Sequence, residues 1–274
     1  MKSLIFFPLL ILFSVVSVGL QAQKIPYGNN PETGKYFTSD GTKLYYEMYG
    51  KGPALLLLHG GVYGYIDEFE GLIPELAKKY QVICLATRGH GKSEVGHAPY
   101  TYLQRASDAQ NLLKHLGIGK AIVVGFSDGG FSALKMAAQY PKRVSKVIAM
   151  GVGDLPADRK KDANYSAKSL MAQSGAYFEG RKKLMAEPDR WDESLQMLNE
   201  LYNEDILSEE TLGTIQAPTL LINGEKDDYY TVESFETCYG YIPNAQKVLV
   251  PGCGHVILYC NFPLVMDSIE SFLK

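Results

Sequence analysis

Ser127 stands in Gly125-Phe126-Ser127-Asp128-Gly129, a G-x-S-x-G pentapeptide, and a serine in that spacing is a candidate nucleophile. Before it runs Ala121-Ile122-Val123-Val124, short, apolar and β-branched, which reads as a buried strand. After it runs Phe131-Ser132-Ala133-Leu134-Lys135-Met136-Ala137-Ala138, which reads as a helix. The pentapeptide alone is common by chance; the strand before it and the helix after it supply a mechanism. The glycines let strand and helix approach closely with one side chain raised between them. The hydroxyl is thereby lifted toward solvent beside a helix N-terminus, where a developing oxyanion is favoured.

A serine hydroxyl needs a base. Among known enzymes that carry a catalytic serine on such a strand–turn–helix elbow, the acid and then the histidine follow it along the chain. The histidines are His59, His90, His97, His115 and His255, and only His255 follows Ser127. It lies in Pro251-Gly252-Cys253-Gly254-His255, just after the apolar run Lys247-Val248-Leu249-Val250. The acid is expected after the strand Pro218-Thr219-Leu220-Leu221-Ile222-Asn223, within Gly224-Glu225-Lys226-Asp227-Asp228. Asp227 and Asp228 both qualify. An acid that orients a histidine must be partly buried at the strand end, and we prefer Asp227. Glu225 reads as a solvated turn residue. Two backbone N–H groups are needed for the oxyanion hole. One is that of Asp128, which follows the nucleophile. The other comes from His59-Gly60-Gly61-Val62, the loop after the apolar strand at 54–58, with Gly61 N–H preferred and Val62 N–H as the alternative.

In order and spacing these pieces resemble the α/β-hydrolase superfamily over nearly the whole chain after residue 35. The resemblance rests on His59-Gly60-Gly61, Arg88-Gly89-His90-Gly91-Lys92-Ser93, Gly125-Phe126-Ser127-Asp128-Gly129-Gly130, Asn223-Gly224-Glu225-Lys226-Asp227 and Gly252-Cys253-Gly254-His255. The RGxGxS loop and the GxSDGG corner look most like the valacyclovir-hydrolase-like and small microbial esterase subgroup. The resemblance implies a mostly parallel eight-stranded sheet covered by helices, a serine nucleophile on an elbow, no cofactor, and a helical cap over the site. It says little about substrate, because this scaffold hosts many chemistries.

The rest of the chain fits that architecture. Strand and helix patterns alternate: strands at 43–49, 54–58, 82–86, 121–126, 144–150, 218–223 and 246–250, and helices at 68–79, 102–116, 128–139, 231–240 and 262–273. Such alternation predicts an α/β fold with ligands at the strands' carboxyl ends. Residues 153–213 break the pattern with a charged, Met-rich helical stretch, which the resemblance marks as the cap. The core is then divided into residues 23–152 and 214–274. Met171, Met185, Trp191, Met197 and Tyr202 are candidates to face the pocket, although packing of the cap onto the core explains them as well.

Apolar residues make up 46% and charged residues 21% of the 274-residue chain, as in an ordinary globular protein. A net charge of −3 offers no basic surface for nucleic acid. The N-terminus differs from the rest. Lys2, the apolar run 4–18 and Ala22 before Gln23 make a signal peptide over residues 1–22. The run falls short of the roughly 20 residues that a membrane span needs. Cleavage and export of residues 23–274, to the periplasm or beyond, are expected, with no membrane span left. Export permits disulfides. Cys84 reads as a buried free thiol. Cys238, Cys253 and Cys260 cluster near the C-terminus, so one bridge is possible, and Cys253 stands two residues before His255.

Ala86-Thr87-Arg88-Gly89-His90-Gly91-Lys92-Ser93 nearly matches a phosphate-binding loop. Such a loop must open directly into a helix, whereas Glu94-Val95-Gly96-His97-Ala98-Pro99 reads as loop, so nucleotide binding is rejected. Arg88 is expected in a structural ion pair. No His, Cys, Asp and Glu cluster has metal-ligand spacing. The expected protein is an exported serine hydrolase acting on a small or medium carboxylic ester through Ser127, His255 and Asp227. The alternatives are an aminopeptidase or amidase, a carbon–carbon bond hydrolase on the same three residues, or a ligand-binding protein of low turnover. A dehalogenase is disfavoured, since those relatives carry Asp at the nucleophile position.

Overall fold

The computed structural model describes residues 25–156 and 162–274; the expected signal peptide, residues 1–22, lies outside the described residues. Lys35–Ser39 (β1) and Thr42–Tyr49 (β2) form a hairpin through Asp40 and Gly41, both at positive φ as its tight turn requires. Then follow Ala54–Leu58 (β3), Leu72–Leu76 (α1), Gln81–Leu85 (β4), Tyr102–His115 (α2), Ala121–Phe126 (β5), Asp128–Gln139 (α3) and Val144–Met150 (β6). Three helices come next: Ala167–Leu184 (α4), Trp191–Glu204 (α5) and Glu209–Gly213 (α6). The chain closes with Thr219–Gly224 (β7), Val232–Tyr241 (α7), Ala245–Val250 (β8), Ile257–Cys260 (α8) and Phe262–Leu273 (α9).

The strands form an 8-stranded sheet in the order β1-β2-β4-β3-β5-β6-β7-β8. β2 runs antiparallel to both β1 and β4, and the remaining pairings are parallel. Successive side chains of a strand point to opposite faces. Accordingly Leu56 and Leu58 of β3 join the apolar layer under α2 and α3 with Phe131 and Leu134, while Leu55 and Leu57 join the layer under α1 and α9 with Ile73 and Ile269. Both faces are covered, which is why the central strands are apolar runs rather than alternating ones.

Three elements differ from the sequence expectation. Residues 68–79 are not one helix: a 3₁₀ turn at Ile66–Phe69 precedes the short α1. Gly71 and Pro74 explain the break, because proline fits only the first turn of a helix, so the helix starts late. An extra strand, β1, precedes the first strand expected from the sequence, at 43–49. Before it, Gly28 and Asn30 are tied down by Glu47, whose buried carboxylate accepts from Gly28 N at 2.8 Å and Asn30 N at 2.9 Å. A short α8 follows the His255 loop. Arg88, from the rejected phosphate loop, forms a two-pronged buried pair with Asp108, at 2.7 Å from Nε and 2.9 Å from Nη2.

Candidate active site

β5 delivers Ser127 to the top of the sheet, and the backbone there is forced. Ser127 has φ 51° and ψ −118°, a conformation that a residue with a Cβ rarely holds. Its neighbours must be glycine. A Cβ on Gly125 would lie 2.0 Å from Gly129 O, and one on Gly129 would lie 1.8 Å from Leu58 O. The turn is tied to β6 by Ser127 N donating to Met150 O at 2.7 Å. β7 delivers Asp227, and the loop after β8 delivers His255. Here too the backbones pack tightly: a Cβ on Gly224 would lie 2.2 Å from Gly254 O, and Lys226 N donates to Cys253 O at 2.7 Å.

The three side chains form one hydrogen-bonded line. His255 Nε2 lies 2.9 Å from Ser127 Oγ, and His255 Nδ1 lies 2.8 Å from Asp227 Oδ2. Asp227 is 4% exposed, and its other oxygen, Oδ1, accepts from Tyr229 N at 2.8 Å and Tyr230 N at 3.0 Å. Asp228 is exposed and stays outside the line. Glu225 is not merely a solvated turn residue, since its carboxylate accepts from Gly252 N at 2.8 Å and braces the His255 loop.

Gly61 and Asp128 meet on the other side of Ser127. A Cβ on Gly61 would lie 2.5 Å from Asp128 Oδ2, so the Gly60-Gly61 loop and the first residue of α3 are in contact. Among the described residues, neither Gly61 N–H nor Val62 N–H donates a hydrogen bond within the protein. The loop is instead held from behind. Gly60 N donates to Glu68 Oε1 at 2.6 Å, His59 Nδ1 lies 2.7 Å from Gly60 O, and His90 Nε2 lies 3.2 Å from Gly61 O. Asp128 Oδ2 accepts from Arg105 at 3.0 Å and from Tyr202 of α5 at 2.7 Å.

A cavity of about 1370 Å³ opens above Ser127 and His255, walled by Gly61, Phe126, Asp154, Tyr229 and Tyr230 from the sheet side. Tyr165, Gln173, Tyr177, Arg181 and Tyr202 of the helical insertion form the other wall. Of the five insertion residues singled out from the sequence, Tyr202 alone lines the cavity, while Met171, Met185, Trp191 and Met197 pack on the core. Arg181 and Glu68 were not singled out. Arg181 clamps the insertion to the core by gripping Asp67 with Nη1 at 2.9 Å and Nη2 at 2.8 Å, and no local pattern announces a pair so far apart in the chain. Among the described residues no group of three or more His, Cys, Asp or Glu could hold a metal ion, and no helix is long and apolar enough to cross a membrane.

Burial disfavours charge behind the Gly60-Gly61 loop. Burial and the neighbouring His90 push the His59 pKa well down. Burial and Arg105 push His90 down to about 4. Burial pushes the Glu68 carboxyl well up. The folded state therefore prefers neutral His90, whose unfolded pKa is about 6.5. Its contribution to stability is complete above that value and is lost as pH falls toward 4, by roughly 3 kcal/mol. Glu68 acts with the opposite sign, because a raised carboxyl costs stability as pH rises, so the comparison must be between variants. His90→Gln keeps a donor for Gly61 O and does not titrate. Denaturant midpoints at pH 7 and pH 4.5 are expected to differ less in this variant than in the wild type; equal differences would remove His90 from the acid sensitivity.

The comparisons with known proteins agree with this architecture. A family model described as the alpha/beta hydrolase fold matches residues 53–180. The 2-hydroxy-6-oxo-6-phenylhexa-2,4-dienoate hydrolase of Burkholderia cepacia is 30% identical over 236 residues, covering 75% of this chain and 82% of that protein. Serine hydrolase BPHL of Homo sapiens is 27% identical over 252 residues, covering 86% and 84%. Among solved structures, a serine hydrolase involved in carbazole degradation (CarC enzyme) superposes with a TM-score of 0.74 at 22% identity, over 88% of this chain and 98% of that one. The chain belongs to the α/β-hydrolase family. It is an enzyme, a hydrolase of the serine type that this fold carries.

Proposed function

We propose that the chain is an exported esterase that cleaves a small or medium carboxylic ester through Ser127, His255 and Asp227. The observation that carries this reading is the unbroken line from Ser127 Oγ through the imidazole to the Asp227 carboxylate. His255 Nε2 accepts the Ser127 proton as Oγ attacks the acyl carbon. Asp227 holds Nδ1–H and steadies the imidazolium that forms. Gly61 N–H and Asp128 N–H bind the oxyanion, each worth roughly 3 kcal/mol in the transition state. The imidazolium then protonates the departing alkoxide, and the acyl group stays on Ser127. Water, deprotonated by His255, attacks that ester and releases the acid and free Ser127. No cofactor is required. The segment 153–213 acts as the cap, and its described part supplies one wall of the cavity.

A second reading is favoured by a relative. The Burkholderia cepacia protein is named as a 2-hydroxy-6-oxo-6-phenylhexa-2,4-dienoate hydrolase, so hydrolysis of such a dienoate is the competing reading. The test is a panel of p-nitrophenyl esters, amino-acid arylamides and one such dienoate, assayed with the same preparation. Turnover of the esters with kcat/KM at least about a hundredfold above both other classes is the expected result. Preference for the dienoate or the arylamides would replace the ester assignment.

Export rests on Lys2, the apolar run and Ala22, and it is supported by the disulfide between Cys253 and Cys260, since such bonds persist in oxidising compartments. N-terminal sequencing of the protein from its native source is expected to start at Gln23. Recovery of intact Met1 in a soluble cytoplasmic fraction would contradict export.

A further inference from the structure

We propose that the Cys253–Cys260 disulfide is a positioning element of the active site, which makes turnover depend on the redox state of these two cysteines. The inference rests on the reading of His255 as the general base.

The bridge has a sequence separation of 7, so the ring it closes, residues 253–260, carries His255 itself. The segment between Val250 and Ile257 has little else to hold it. Pro251, Gly252, Gly254 and Val256 are exposed, and Cys253, at 1% exposure, is the one buried side chain among residues 251–256. Glycines stand on both sides of Cys253, and Gly252 takes φ +69°. A segment with two glycines and Cys253 as its one buried side chain has many conformations to choose from. α8 begins at Ile257 with no side-chain cap and is four residues long, and its buried Ile257 and Leu258 fix the far end of the loop to the core, so the bridge spans from one anchored end to the other.

Hydrogen bonds to Asp227 and Ser127 hold the ring of His255, and backbone bonds hold the residues that carry it. Gly252 N is held by Glu225, and Lys226 N is held by Cys253 O. The ring is flanked by Phe126 at 5.1 Å and Tyr229 at 4.9 Å between centroids, and Tyr229 is 67% exposed. The covalent link from Cys253 to the end of α8 adds to Ile257 N donating to His255 O at 2.9 Å in restricting where residues 254–256 run. It also carries Val256 and Tyr259, which line the cavity mouth.

The bridge is accessible to reductant. Cys260 is exposed while Cys253 is buried, so an external thiolate reaches it from the Cys260 side. Reduction by a dithiol is balanced: the first thiolate attacks one sulfur and forms a mixed disulfide, the other cysteine leaves as a thiolate, and the second thiol of the reagent releases the protein. The reagent is oxidised by two electrons to its cyclic disulfide, and both cysteines become thiols. The other two cysteines, Cys84 and Cys238, are already free and buried, so the reductant acts on this bridge alone. The disulfide ring is short, so its closure constrains the unfolded chain somewhat less than a long loop would, and stability and kcat are therefore read separately.

The test uses the mature protein and an activated p-nitrophenyl ester. Wild type is incubated with and without dithiothreitol under native conditions, alkylation and mass spectrometry count the new thiols, and kcat and KM are measured separately. Gain of two thiols is expected to lower kcat about tenfold or more with KM changed less than about twofold, because a misplaced base costs the chemical step rather than binding. Reoxidation is expected to restore kcat. The Cys253→Ala/Cys260→Ala double variant is expected to match reduced wild type and to ignore dithiothreitol. Should that variant fail to fold, reduction of the wild type in place still decides. An unchanged kcat in protein that has gained two thiols overturns the proposal. Loss of the far-ultraviolet circular dichroism signal on reduction also overturns it, by showing a role in overall stability. Failure of a fluorophosphonate to label Ser127 in the oxidised protein is the separate signature that the hydrolase reading itself is wrong.

Discussion

Ser127→Ala is expected to lower kcat/KM on an activated ester by about 10⁴-fold or more while leaving the fold intact. The expected loss is large because the proposed covalent step passes through this oxygen alone. Asp128 N–H, Gly61 N–H and the cavity remain, so a residue of transition-state binding persists, and the activity left should not respond to fluorophosphonate. The fold is preserved for a conformational reason. Ser127 sits at φ 51° with a Cβ already present, and alanine brings the same Cβ, so the strain is unchanged. The hydroxyl's recorded partner is His255, and losing one such bond costs about 1 kcal/mol, a shift of only a few degrees in melting temperature. Ser127→Gly tests the strain itself. Without a Cβ the same φ is permitted, so this variant is expected to be equally inactive but more stable than the alanine variant, by about 1 kcal/mol. The measurements are kcat/KM and thermal melting of both proteins. Undiminished ester hydrolysis by either variant would exclude Ser127 as the nucleophile.

The residues that meet at this site were legible because each stands at the carboxyl end of an apolar strand, in a glycine-rich turn. Gly125 and Gly129 signal a close approach, and the structure supplies the atoms they approach, Gly129 O and Leu58 O. The preference for Asp227 over Asp228 followed from the need for burial, and in the loop after β7 Asp227 is buried while Asp228 is exposed. The disulfide partner was not legible. Cys238 and Cys260 lay within reach in sequence, and only the fold shows Cys238 turned into the core under α7 while Cys260 closes α8. The break in the 68–79 helix was written in Gly71 and Pro74 but was outweighed by the apolar periodicity around them. The support behind the oxyanion loop was hidden for another reason. Glu68, His59 and His90 are polar residues of ordinary spacing, and their significance comes from burial against one another. Periodicity reports which face of an element is buried, not which elements meet there. Arg181 and Asp67 show the same limit, joining two segments that no local pattern relates.

Asp227→Asn is expected to lower kcat by about 10⁴-fold, and Asp228→Asn by less than about tenfold. The argument turns on which atoms the asparagine amide would present. Asp227 Oδ1 accepts two backbone donors, Tyr229 N and Tyr230 N, so a carbonyl oxygen is retained on that side. The amide nitrogen must then take the place of Oδ2, 2.8 Å from His255 Nδ1. An amide NH₂ only donates, so Nδ1 has to accept and the ring proton moves to Nε2. Nε2–H then faces Ser127 Oγ at the position where a lone pair is needed, and the base cannot take the serine proton. The geometry survives and the tautomer is wrong. Binding should be nearly unaffected, so KM is expected to stay within about threefold, and the loss to fall on kcat. Melting temperature should change little, because both backbone hydrogen bonds to the side chain persist. Asp228 is exposed and makes no contact with His255, so its amide changes only a surface charge. Steady-state kinetics of the two variants on one ester separate the roles. A loss above about a hundredfold in Asp228→Asn, with Asp227→Asn close to wild type, would reverse the assignment.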